Sequence, residues 1–167
     1  MMTDTAATFE DSLERLDVDW THAAAGDVPE VLESVCSAPT VGVPLPFDGV
    51  SLPEWVNDDP SPSDLREADT GVTAAGIGIA DYGSVVLPAT PEGTEPVSLF
   101  SDTHVTVLRT SDIVPGMPDA FGWLGEEFRA GNDSAIIATG PSATADMGAL
   151  VKGAHGPKDV HVVMLDE

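Results

Sequence analysis

The sequence is short of basic residues and contains a single cysteine. Six Lys and Arg residues stand against 29 Asp and Glu residues, which gives a formal net charge of −23. Nucleic-acid binding needs clustered Lys and Arg to contact phosphates, so this charge argues against a nucleic-acid partner. The cysteine, Cys36, cannot form an internal disulfide bond, and it cannot hold a zinc ion or an iron–sulfur cluster alone.

Long hydrophobic runs are also missing. No apolar segment is long enough to span a bilayer, and no signal-peptide core follows Met1. We therefore expect a soluble, cytoplasmic protein that does not contact a membrane.

Despite its charge, the chain has an ordinary apolar content of 42%. This content argues against disorder and assigns the acidic residues to the surface. An excess of acid with so few lysines resembles the proteins of halophilic organisms. Molar salt screens the repulsion among such charges, so we expect stability to rise with salt.

Hydrophobic periodicity predicts alternating helices and strands. Helices are predicted at 5–16, 27–38, 61–68, 118–129 and 145–151, and strands at 17–22, 40–43, 71–80, 84–87, 97–100, 105–109, 135–138 and 160–165. Strands that alternate with helices at both ends indicate an α/β layered domain with a mixed, mainly parallel sheet. No repeat or domain boundary is visible, so the sequence predicts one domain over 1–167.

Two details of this pattern bear on the core and the site. The helix at 118–129 is amphipathic, and we expect Phe121, Leu124 and Phe128 to face inward. The two apolar runs at 135–138 and 160–165 have the composition of buried strands. With the helix between them they predict a βαβ unit, whose ligand would lie beyond the carboxyl ends of the strands.

Several blocks in the last hundred residues share one order and spacing with a known family. The blocks are Gly-Val-Thr at 71–73, Ile-Ala-Asp-Tyr-Gly-Ser-Val-Val-Leu at 79–87, His-Val-Thr-Val-Leu at 104–108, Gly-Pro-Ser-Ala-Thr-Ala-Asp at 140–146, Gly-Ala-His-Gly-Pro at 153–157 and Val-His-Val at 160–162. Together they resemble the LUD family, the lactate utilization proteins of the C type. The resemblance covers 71–166, and residues 1–70 are less diagnostic.

The resemblance implies a CoA-transferase-like α/β fold and a role in oxidising L-lactate to pyruvate. It implies partner subunits that carry the iron–sulfur clusters, while this chain binds no cofactor. Two departures stand out: Asp81-Tyr82 replaces the usual Glu-Thr, and Ala143 replaces the usual Arg. A free-standing enzyme acting on a small carboxylate, phosphate or acyl-CoA is one alternative, and a non-catalytic ligand-binding or scaffold module is another.

Three residues are candidates for catalysis. Asp81 interrupts a strand, and the resemblance implies a nucleophile at a comparable place; the alternative is a solvated carboxylate at a bend. His155 could move a proton near neutral pH, or it could simply bond a backbone carbonyl. Asp146 could fix the His155 tautomer, or it could satisfy the dipole of a helix start.

Five residues are candidates for substrate binding. They are Gly140, Ser142, Thr144, Gly156 and His104. The loop at 140–146 could cradle an anion with backbone N–H groups and hydroxyls, although a capped helix would use the same residues. The histidines and aspartates show no metal-ligand spacing, so no metal site is predicted. We expect the loops at 81–83, 140–146 and 153–157 to converge on one cleft.

Overall fold

The structure, a computed structural model, describes residues 2–144, 151–152 and 156–166. Its α-helices are α1 (Met2–Arg15), α2 (Val28–Val35), α3 (Pro62–Glu67), α4 (Thr94–Phe100) and α5 (Met117–Arg129). Its strands are β1 (Asp19–Ala23), β2 (Thr40–Gly42), β3 (Thr70–Ala74), β4 (Ile77–Ile79), β5 (Ser84–Pro88), β6 (Thr103–Arg109), β7 (Ile113–Val114), β8 (Ala135–Thr139), β9 (Ala143–Thr144), β10 (Val151–Lys152) and β11 (Asp159–Leu165). Nowhere in the described part of the chain does a helix have the length and apolarity that a membrane crossing needs.

The strands are divided over two main sheets. The larger sheet has the order β1-β11-β6-β3-β2, and all its neighbouring strands are parallel. The smaller sheet has the order β7-β4-β5-β8 and is mixed. β9 and β10 form a separate antiparallel pair. The predicted mixed α/β class with mainly parallel strands is therefore confirmed. The predicted βαβ unit is wrong, because β8 and β11 belong to different sheets.

The main core lies where the two sheets meet. One cluster of buried side chains joins α1, through Phe9 and Leu13, to Leu108 and Met164 of the parallel sheet and to Leu87 of the mixed sheet. A second cluster covers the opposite face of the parallel sheet beneath α2. The parallel sheet is thus covered on both faces, in keeping with its mostly buried central strands β3 and β6.

The predicted strand at 71–80 is divided between the two sheets. β3 ends at Ala74 and β4 begins at Ile77, and Gly76 lies at the crossing. A Cβ on Gly76 would come within 2.6 Å of the Trp123 ring, so only glycine fits there. The apolar positions change phase at the break, from Val72 and Ala74 to Ile77 and Ile79, and the prediction of one continuous strand overlooked this signal.

The predicted strand at 97–100 is wrong, because these residues end helix α4. Pro96 lies in the first turn of that helix, where a missing N–H breaks no intrahelical bond. The helix lies close on β3 at Gly71, where a Cβ would meet the Val97 carbonyl oxygen at 2.3 Å. Four apolar residues are too short a run for periodicity to separate a strand from a helix end.

Helix α5 forms as predicted, but its orientation differs. Ala120 and Leu124 pack on the mixed sheet, whereas Phe121 and Phe128 are 62% and 49% exposed. Strand β8 also forms as predicted, but it is an edge strand with intermediate and exposed residues rather than a buried one. The predicted helix at 145–151 lies outside the described residues except for Val151, which belongs to β10.

Candidate functional site

A cavity of about 230 Å³ opens between the two sheets. Its apolar lining comes from α1, β5, β8 and β11, with Leu13, Val85, Ile136 and Val162 as representative residues. Its polar lining includes His104 of β6 and Ser98 of α4. A mainly apolar cavity with a few placed polar groups is the usual form of a small-molecule site.

The predicted ligand loops border this cavity. Gly140, Ser142 and Gly156 all line it. The two loops are tied together, because the Ser142 N–H donates to the Pro157 carbonyl at 2.8 Å. A Cβ on Gly156 would lie 3.2 Å from the Ser142 Cβ, so glycine permits this close approach. The structure thus brings Gly140, Ser142 and Gly156 together with His104.

The cavity lies at the opposite end of the parallel strands from the one predicted. His104 and Val160 are each the second residue of their strands, and they are paired in register. The parallel sheet therefore contributes its amino ends, while the carboxyl end of β8 supplies the loop that begins at Gly140. The expected position beyond carboxyl ends holds only for β8, because the two strands belong to different sheets.

His104 is held by a chain of hydroxyl groups on its own face of the sheet. The Thr106 hydroxyl donates to the Thr73 backbone carbonyl at 3.5 Å. The Thr73 hydroxyl donates to the hydroxyl oxygen of Thr106, Oγ1, at 3.0 Å. The Thr73 oxygen also lies 2.7 Å from His104 Nε2. Because the single Thr73 proton is already directed to Thr106, Nε2 must be the donor in this contact.

The remaining ring nitrogen, Nδ1, is then an acceptor. Among the described residues it has no hydrogen-bond partner. In the same part of the chain, no fully buried side-chain nitrogen or oxygen lacks a partner. It follows that Nδ1 is accessible from the cavity that the ring lines.

Burial keeps the His104 ring neutral. Desolvation lowers the pKa of His104 to about 4, because the charged imidazolium would lose its hydration. At neutral pH His104 is therefore a hydrogen-bonding group and not a cation. No Lys or Arg from the described residues lines the cavity, so the donors that these residues offer to an anion are hydroxyl and backbone N–H groups.

Asp81 lies away from this cavity. Its neighbour Gly83 lines the cavity, but Asp81 borders a smaller one of about 120 Å³ beside Pro115. A Cβ on Gly116, which precedes α5, would be 3.0 Å from the Asp81 carboxylate. The carboxylate thus faces the positive end of the α5 dipole, where it is stabilising. The expected convergence of Asp81 with Ser142 on one cleft is not found.

The other predicted residues divide into two groups. Asp146 and His155 lie outside the described residues. Thr144 belongs to β9, which pairs with β10, so the backbone here is extended and does not begin a helix. Within the described residues, no group of three or more His, Cys, Asp and Glu residues is arranged to hold a metal ion.

Sequence reasoning missed Thr73, Thr106 and Ser98. Strand alternation places Thr106 on the same face as His104, which is a signal that could have been used. Thr73 comes beside Thr106 only through the pairing of β3 with β6, a relation that no local pattern reveals. Ser98 was assigned to a strand, so its place on a helix that lines the same cavity as His104 could not be foreseen.

Comparison with known proteins identifies the family of this chain. The LUD domain model matches residues 63–165. The chain belongs to the LUD domain family. The match begins in α3 and includes every strand of the two main sheets except β1 and β2.

Individual LUD relatives cover different shares of their own length. A protein of Deinococcus radiodurans named "Lactate utilization protein C" is 27% identical over 94% of this chain and 77% of the relative. A protein of the same name from Bacillus licheniformis is 34% identical over 72% of this chain. The match spans only about half of that Bacillus protein, 53% of its length.

A solved structure supports the fold of this LUD chain. The crystal structure of a DUF162 family protein from Deinococcus radiodurans superposes with a TM-score of 0.75 at 21% identity. It covers 99% of this chain and 98% of the other. At this identity the likeness concerns the fold alone.

Proposed function

We propose that this LUD chain acts in lactate utilization, as an accessory or subunit of the cytoplasmic oxidation of L-lactate to pyruvate. The observation that carries the proposal is the family membership together with relatives named "Lactate utilization protein C". The family resemblance and the mainly parallel sheet also support a CoA-transferase-like fold as part of the proposal.

In this proposal the ligand site is the cavity beside His104. Its volume of about 230 Å³ and its mainly apolar lining suit a small organic molecule. The cavity residues Gly140, Ser142, Gly156 and His104 all lie inside the matched region. A small acid would place its carboxylate near the Ser142 hydroxyl, partly replacing the cation that is absent at Ala143.

We assign the redox cofactors to partner subunits. The single cysteine, Cys36, supplies one thiol where a cluster usually needs four thiolates. Partial burial also raises the pKa of Cys36 to about 12, which keeps the thiol protonated. Partners that bear iron–sulfur clusters would carry the electrons, and this chain would bind the small molecule or organise the assembly.

The proposal is tested by deleting the gene from its host and comparing growth on L-lactate with growth on pyruvate. We expect growth to fail on L-lactate alone, and the wild-type gene to restore it. Complementation with His104→Gln should restore growth poorly, while the exposed control His22→Gln should restore it fully. Equal growth of the deletion strain on both carbon sources would contradict the proposal.

A ligand-binding module without chemistry is the second candidate. It is favoured by the neutral state of His104, since an imidazole with a pKa near 4 is a weak base at neutral pH. Incubating the purified chain with L-lactate and an artificial electron acceptor distinguishes a ligand-binding module from an enzyme. Stoichiometric binding without turnover supports the module, and turnover supports an enzyme.

A further inference from the structure

The donor and acceptor pattern inside the cavity indicates which chemical group the ligand presents to His104. We propose that the cavity selects ligands that donate a hydrogen bond to His104 Nδ1, and therefore takes a 2-hydroxy acid in preference to the corresponding 2-oxo acid. This inference rests on the proposed function for the choice of acid. The selection itself rests only on the geometry around the ring.

The first step is the direction of the hydrogen bonds. Thr106 donates to the Thr73 carbonyl, Thr73 donates to Thr106, and His104 Nε2 donates to Thr73. Each hydroxyl has one proton, so the chain has a single direction. Moving the proton to Nδ1 would leave two acceptors, the Thr73 oxygen and Nε2, facing each other at the 2.7 Å contact between Thr73 and His104.

The second step is that this pattern is protected from water and from competing charges. His104 is 2% exposed, and Thr73 and Thr106 are fully buried. Burial lowers the pKa of the His104 ring, and no charged neighbour contributes to this change. The flanking strands β3 and β11 present Gly71 and Val160 in register with His104, and neither residue carries a titratable side chain.

The third step concerns the ligand. A 2-hydroxy acid carries a hydroxyl proton that Nδ1 can accept, whereas a 2-oxo acid offers only a carbonyl oxygen at the same carbon. Two acceptors that face each other in an apolar cavity leave both unsatisfied, which is costly. The apolar lining residues Val85, Ile136 and Val162 have no donor to offer such a carbonyl oxygen.

Thr73 is a positioning residue in this scheme, because it acts only by fixing the His104 tautomer. Removing its hydroxyl leaves Nε2 without an acceptor, so the proton can move to Nδ1. The ring would then offer a donor to the cavity, and the preference for a hydroxyl would weaken or reverse. Thr106→Val should act in the same direction, because it frees the Thr73 proton for Nε2.

The experiment measures the affinities of L-lactate, pyruvate and their two uncharged methyl esters by NMR titration of the whole chain. We expect the hydroxy compound of each pair to bind about tenfold more tightly. Thr73→Val should lower this ratio by about the same factor. Thr21→Val is the matched control: it removes a hydroxyl 2.8 Å from His161 Nε2 on the same sheet, and neither residue lines the cavity.

A second readout is independent of any ligand. Nitrogen chemical shifts of the His104 ring should show a protonated Nε2 and an unprotonated Nδ1 in the wild type, and a mixture or the reverse in Thr73→Val. Thr106→Val provides the same test if Thr73→Val does not fold. A proton on Nδ1 in the wild type, or a binding ratio unchanged by Thr73→Val, would overturn the inference.

The binding results also separate this inference from the proposed function. Discrimination between the esters without binding of either acid supports the hydroxyl selection and counts against lactate as the ligand. Tighter binding of pyruvate than of L-lactate overturns the selection, while a growth defect on L-lactate would still support the pathway. If none of the four compounds binds, the assignment of a 2-hydroxy acid ligand is overturned.

Discussion

The two faces of the parallel sheet are built from alternate residues of the same strands, yet they have different compositions. The face beneath α2 presents Val72, Val105, Val107, Val163 and Leu165, all of which are buried. These side chains belong to the apolar cluster beneath α2, and all five of them are apolar. This face contributes apolar burial and little else.

The opposite face carries a polar group in its centre. Thr73, His104 and Thr106 interrupt an otherwise apolar surface that includes Val162 and Met164. A buried polar network costs stability unless every group is bonded, so its presence here indicates a use. The comparison teaches that the two sides of one sheet differ in use: one face packs on α2, and the other lines the cavity that we propose as the ligand site.

The largest expected effect comes from the packing face. Leu32 of α2 is fully buried against it, and Leu32→Ala should lower the free energy of unfolding by about 2–5 kcal/mol. Urea denaturation measures this change. Binding of the cavity ligand by the folded fraction should be unaffected; a large loss of affinity per folded molecule would break the separation of the two faces.

The next effect is a pH dependence from the ligand face. The folded pKa of His104 is about 4, below its ordinary value of 6.5, because burial penalises the cation. Between these values the unfolded chain binds a proton that the folded chain does not. The free energy of unfolding therefore has its full value, as far as His104 is concerned, above pH 6.5. It falls by on the order of 3 kcal/mol as the pH is lowered towards 4.

His104→Gln isolates this contribution, since glutamine does not titrate. The difference in unfolding free energy between wild type and variant should shrink as the pH falls from 7 to 4.5. His161, whose pKa is also lowered, chiefly by burial, remains in both proteins and cancels. A difference that stays constant over this range would show that the ring is not held neutral by the fold.

A third test exchanges the apolar and hydroxyl side chains of two neighbouring positions on β6, Val107 and Thr106. Val107→Thr puts a hydroxyl on the packing face, among buried apolar side chains, and should cost about 1–3 kcal/mol. Thr106→Val is the matched reverse change on the ligand face. It should cost less in unfolding free energy but alter the His104 tautomer. Equal stability costs, with no change in the ring's nitrogen shifts, would contradict the division of tasks.

Much of the fold follows from local pattern, and the site follows only in part. The long periodic segments gave α1, α5 and β11, and the family blocks indicated His104 and the loop at Gly140. The direction of His104 and its partner Thr73 depends on pairing between β3 and β6, which is a tertiary property. Local patterns carry no record of that register.

The wrong predictions for Asp81 and Phe121 also arise because tertiary packing is not visible in a local sequence pattern. Asp81 and Gly83 are two residues apart, yet they border different cavities because the chain turns between them. Phe121 lies on a helix with the right period, but which side meets the sheet is set by Ala120 and Leu124. Spacing predicts that residues share a face, and packing decides what that face meets.

The smallest predicted effect comes from a third histidine on the same sheet, at its edge. His22 of β1 contacts Asp166 through Nδ1 at 2.9 Å and Glu10 of α1 through Nε2 at 2.5 Å. Partial burial lowers the pKa of His22, but the hydrogen bonds and charges of Glu10 and Asp166 outweigh it, so the net pKa is raised.

The pH dependence of His22 should therefore be opposite to that of His104. The folded chain holds the proton more tightly than the unfolded chain, so the stabilisation is complete below pH 6.5 and is lost as the pH rises through the raised folded value. The side chain is 43% exposed, so we expect His22 to contribute less than about 1 kcal/mol to the free energy of unfolding.

Comparing wild type with His22→Gln at pH 5.5 and 8.5, in low and in molar potassium chloride, measures this contribution. The difference should appear only at the lower pH and should diminish in salt, because exposed charges are screened. A difference that grows with pH would mean that His22 is bound neutral, and that the edge and the centre of the sheet treat their histidines alike.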